Sequence, residues 1–99
     1  MQDQNTKLSR REVFLALEGW KHLVQIERHP SIYQGTITAL SPNTGTITFS
    51  AKMEGEQNPL VFHWRDADFE RSDDPGDQWD EAFVVFPRSG ESITLRKWK

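Results

Sequence analysis

A chain of 99 residues with 35% apolar content accommodates one domain with a modest core, which six Phe, four Trp and one Tyr fill with large rings. The absence of cysteine excludes a disulfide scaffold, a thiolate zinc site and thiol catalysis, and no apolar run approaches the roughly 18 residues of a membrane span. The net charge of −3 is unevenly laid out: residues 66–81 hold eight acids against Arg71, −7 in all, which leaves +4 on the rest of the chain.

Residues 1–7 are polar and read as a disordered tail ahead of a single domain over 8–99. With neither a secretory leader nor a cysteine, the expected location is cytoplasmic, or nuclear as well. Ser9 and Glu12 have capping-box spacing, and Val13, Leu17 and Trp20 follow at i, i+4 and i+7, with Phe14 and Leu15 widening the stripe. The pattern predicts a short amphipathic helix over 10–18, stopped near Gly19, that needs a surface to pack on.

From Lys21 the period falls to two. Residues 22–28 read as an imperfect first strand ending before Pro30, and 32–40 as a clearer one rich in β-branched residues, with Gly35 marking a bulge or bend. The segment 41–45 is a turn, 46–52 the returning strand with Ile47 and Phe49 on one face, 54–59 a polar loop and 60–64 a fourth strand. An acidic loop over 66–81 then precedes a closing hairpin over 82–98. One helix with five to six short strands predicts a mainly β fold, a small and strongly bent barrel of the SH3, OB or Sm kind.

Ile32-Tyr33-Gln34-Gly35-Thr36-Ile37-Thr38-Ala39-Leu40, with an aromatic two residues before a glycine and alternating apolar positions after it, resembles the first motif of Sm/LSm domains. Thr46 to Phe49 fits the strand after the turn, and residues 60–69 are similar to the second motif of divergent LSm domains, such as the decapping scaffolds and the Sm-like Gemin subunits of the survival-of-motor-neuron complex. The resemblance covers roughly residues 8–70. It implies an Sm-like barrel whose partner is another protein, an Sm-like subunit among the options, joined by pairing of edge strands. Where RNA-binding members carry an Asp and an Asn that grip a base, this chain has Ser41 and Gly45. RNA contact is therefore expected to be weak or indirect.

The catalytic inventory is sparse. His22, His29 and His63 are scattered, no nucleophile elbow or phosphate loop is present, and neither metal nor cofactor is expected. Asp66 and Asp68 would share a side of a strand as a carboxylate pair, yet six further acids beside them favour a solvated face. Trp20 and Trp98 read as core rings, whereas Trp64 and Trp79 are open to a surface role.

The expected role is a non-enzymatic interaction subunit or scaffold in ribonucleoprotein assembly or mRNA turnover. Its candidate edges are Leu60, Val61, Phe62, His63 and Trp64, and Phe83, Val84, Val85 and Phe86. A competing reading is an RNA-binding module with Lys7, Arg10, Arg11, Arg96, Lys97 and Lys99 on phosphates. Another is a small acidic inhibitor, of the sort phages make, that presents Asp66, Asp68, Asp73, Asp74, Asp77, Asp80 and Glu81 to a basic nucleic-acid-binding enzyme.

Overall fold

A computed structural model describes residues 5–21, 23–51, 59–73 and 75–99. Among them are one helix, α1 (Arg10–Leu17), and eight strands: β1 (Asn5–Leu8), β2 (Val24–Arg28), β3 (Ser31–Ser41), β4 (Thr46–Ala51), β5 (Leu60–His63), β6 (Asp68–Ser72), β7 (Trp79–Phe86) and β8 (Ile93–Trp98). The strands form one antiparallel sheet in the order β1-β6-β7-β8-β2-β3-β4-β5. The mainly β expectation holds, with eight strands where five to six were expected.

The helix begins where the capping box places it. Ser9 Oγ accepts from the Glu12 amide at 3.2 Å, and Glu12 Oε1 accepts from the Ser9 amide at 2.8 Å. Those bonds, the one from the Ser9 amide foremost, hold the Glu12 carboxyl below the usual carboxylate range. Val13, Phe14, Leu17 and Trp20 are buried, and Phe14 meets Phe69 of β6 edge-on at 6.5 Å. Leu15 does not widen the stripe: it is 58% exposed, because two 100° steps carry it about 160° away from Leu17 on the helix wheel.

A flat sheet of eight strands would be about 34 Å across between its outer strands, too wide for its two ends to share one core. Here Phe62 of β5 and Phe69 of β6, near opposite ends of the strand order, belong to one buried cluster with Val24, Ile26, Ile47, Phe49, Phe83, Val85 and Leu95. The sheet is therefore coiled around its core, and the helix lies over it. The Cα radius of gyration, 12.8 Å, matches the roughly 13 Å of a compact domain this size. Ile37 and Phe49 are register partners on one face, with Phe49 fully buried and Ile37 packed against the cluster, so the expected register holds. The irregularity in β3 falls between Ile37 and Ala39 instead of at Gly35.

Several boundaries differ from expectation. Residues 5–7, assigned to a disordered tail, pair as β1 with β6, Thr6 opposite Arg71 and Lys7 opposite Glu70. The acidic loop of 66–81 is largely strand, because β6 takes 68–72 and β7 begins at Trp79, three residues before the expected hairpin. Charge hid these strands: Phe69 is the one buried residue of Asp-Phe-Glu-Arg-Ser, so a single apolar side chain anchors β6. The hairpin itself forms, with Phe83 opposite Leu95 and Val85 opposite Ile93. His22, Asp74 and most of the 54–59 loop lie outside the described residues.

Candidate protein-interaction edge

Among the described residues β5 is a terminal strand of the sheet, paired only with β4 through Thr46 and His63, Ile47 and Phe62, Thr48 and Val61, and Phe49 and Leu60. Alternation splits its side chains as the sequence expects. Phe62 and Trp64 are buried and stacked at 5.1 Å, Leu60 is half-buried against the core, His63 is exposed and Val61 is 46% exposed.

The anchor of this edge is Gly45, whose φ of 70° ends the turn in the left-handed region. Its carbonyl accepts the Trp64 amide at 2.7 Å, and a Cβ there would lie 2.5 Å from Arg65 Cα. That hydrogen bond also sets the parity of the ladder. Trp64 and Phe62 turn their main-chain groups toward β4, so the N–H and C=O of Val61 and His63 project from the free edge.

A groove runs beside that edge. Its far wall is the connection between β7 and β8, and two adjoining cavities there share His63, Pro87 and Ser89. One cavity continues past Val61 to Arg28 and Glu91, the other to Arg65, Asp66 and Arg88. The Arg28 guanidinium stands 5.6 Å from the Phe62 ring centroid and 6.0 Å from that of Tyr33. Among the described residues the ion pairs are Arg71 with Asp73, Arg96 with Glu27 and Lys97 with Asp80; the three groove arginines belong to none of them.

The second expected edge is not one. Phe83, Val84, Val85 and Phe86 lie in β7, whose two ladders are taken by β6 and β8, so no main-chain row is left for a partner. Among the described residues the other terminal strand is β1, which the polar sequence Asn-Thr-Lys-Leu concealed.

The terminal bases are not gathered into one patch. Lys7 is on β1, Arg10 and Arg11 are on α1, and Arg96 and Lys97 are on β8, which is three strand spacings or about 14 Å from β1 along the sheet, with Lys99 following it. Arg10 donates to the Arg65 carbonyl at 2.7 Å, Arg96 to Glu27 Oε1 at 2.7 Å, and Lys97 lies 3.1 Å from Asp80. The acids are likewise in use within the fold. Asp73 accepts from Thr6 Oγ1 at 2.9 Å, and Glu81 accepts the Trp20 indole N–H at 3.0 Å, while Asp77 is exposed in the turn before β7. Asp66 sits in the turn after β5 and Asp68 on β6, so the two do not form a carboxylate pair on one strand. Trp98 is half-buried against Trp79, ring centroids 4.0 Å apart, instead of filling the main core.

Arg28, Arg65 and Arg88 went unnoticed in the sequence. Each stands alone beside a turn, and only the coiling of the sheet brings positions so far apart to one groove. Among the described residues no group of three His, Asp or Glu side chains comes together as a metal site, and no helix is long and apolar enough to cross a membrane. Comparison of the chain with family models, curated proteins and solved structures returns no match.

Proposed function

We propose that this chain is a non-catalytic protein-interaction subunit that takes an extended segment of a partner protein onto the free edge of β5. The observation that carries this reading is that the Val61 and His63 main-chain groups point away from β4, on a strand that borders a groove walled by residues 87–91. A strand laid there completes the ladder of β5, while its side chains meet the groove on one face and solvent on the other.

The same placement supports an Sm-like reading, in which the coiled sheet is a small barrel extended by β1, β6 and β7. The helix, β2, the β3 strand with Gly35, the tight turn, β4 and β5 follow in the order on which that resemblance rests. A scaffold role in ribonucleoprotein assembly or mRNA turnover is the setting that follows from it.

The test is selection from a displayed library of random peptides of about ten residues, long enough to cross the edge, followed by amide hydrogen exchange on the complex. Selected peptides are expected to slow exchange at Val61 and His63. His63→Pro, which removes an outward donor and leaves the β4 ladder intact, is expected to abolish binding with little change in melting temperature. Peptides that bind without protecting those amides would overturn the reading.

A further inference from the structure

Resting on that reading, we propose that the segment taken by β5 is acidic, with carboxylate side chains that meet Arg28 near one end of the groove and Arg65 and Arg88 near the other. Outside the groove this fold sets Arg71, Arg96 and Lys97 each against a carboxylate, while Lys7, Arg10, Arg11, Lys21 and Lys99 belong to no ion pair among the described residues. In the groove it leaves three guanidiniums without an ion pair among the described residues, against the acids Asp66 and Glu91, on a chain whose net charge is −3. A locally positive groove on an acidic protein favours a negative partner and repels a basic one.

Arg28 is the best prepared of the three. Its guanidinium is held near the rings of Phe62 and Tyr33, and a guanidinium that contacts rings through its face keeps its in-plane N–H fork for a carboxylate.

The same layout selects among sources of carboxylate. A chain terminus has one and reaches one end of the groove, whereas arginines stand toward both ends, so an internal segment with acidic side chains fits. A second copy of this chain pairing β5 to β5 would set one arginine cluster against the other, so self-association through this edge is disfavoured.

The experiment uses the same peptide selection and reads composition. Selected sequences are expected to be richer in Asp and Glu than the starting library, and replacing those acids by Asn and Gln should weaken binding about tenfold, as expected for lost charge-assisted hydrogen bonds. Combined Arg28→Gln, Arg65→Gln and Arg88→Gln substitution should remove the acid preference while the melting temperature shows the protein still folded. Neutral or basic peptides that protect Val61 and His63 would overturn the acid preference and leave strand addition standing. Acidic peptides that leave those amides unprotected would overturn both. Displacement of a bound peptide by oligouridine at equal concentration would also overturn the proposal and assign the groove to nucleic acid.

Discussion

Gly35 marks the place where β3 and β4 press together most closely. A Cβ there would lie 1.9 Å from the Ser50 carbonyl oxygen and 2.9 Å from Ala51 Cα, and because these are backbone atoms no rotamer change relieves the clash. Gly35→Ala must push β4 outward and disturb Ala51 and Phe49 behind it, at a cost of about 2–4 kcal/mol. In a domain of this size that corresponds to a fall in melting temperature of about 10–25 °C, measurable by circular dichroism. Gly19→Ala is the control. Its nearest neighbour is the Ala16 carbonyl at 3.4 Å and its φ is not positive, so the melting temperature should hold or rise slightly. A Gly35 variant as stable as the Gly19 variant would mean that β3 and β4 are not in this register.

For the element β5, the fold and the proposed interface make separable demands on neighbouring residues. Phe62 is buried and stacked on Trp64, so Phe62→Ala should cost about 3–5 kcal/mol. Val61 is directed outward, so Val61→Lys should change stability by about 0.5 kcal/mol or less and still impair strand addition, since a lysine on an edge is a common device against pairing. Thermal unfolding of both variants, with peptide binding on the second, separates the two roles; unfolding by Val61→Lys would reverse the faces. This strand was legible because Leu60, Phe62 and Trp64 alternate with Val61 and His63, and a single buried face leaves one register. The helix was legible through its cap. β1 and β6 were not, since Thr6 and Lys7 pair with Arg71 and Glu70 in a ladder made by backbone and polar side chains, with Leu8 and Phe69 as its apolar contacts to the core. The edge assigned to Phe83–Phe86 failed for a related reason: an apolar run marks burial, and a strand covered by neighbours on both sides is more buried than an edge. The basic groove had no signature in the sequence at all, because it is made by residues that the folded sheet brings together and not by spacing along the chain.

At the scale of the whole molecule, the charge layout bears on nucleic acid. Binding a single strand without sequence preference needs a continuous basic track beside exposed rings on which bases stack. Here Lys7, Arg10 and Arg11 are separated across the sheet from Arg96, Lys97 and Lys99, and Arg96 and Lys97 already face Glu27 and Asp80. The rings nearest the free edge, Phe62 and Trp64, are buried and stacked on one another. Gly45, in the turn before β4, lies against Arg65 with no room for a Cβ, so no side chain at this position can reach a base. Oligouridine is therefore expected to bind weakly, with a logarithmic salt slope no steeper than about −1.5, the value for two phosphate contacts on a single strand. Fluorescence anisotropy with homopolymers of each base, repeated across a salt series, measures both quantities. A preference of about tenfold for any one base would require a built base pocket, and a steep slope would require a phosphate track. Either result would make the terminal bases and the groove arginines a nucleic-acid surface. A shallow slope with no base preference leaves those arginines to an acidic protein segment.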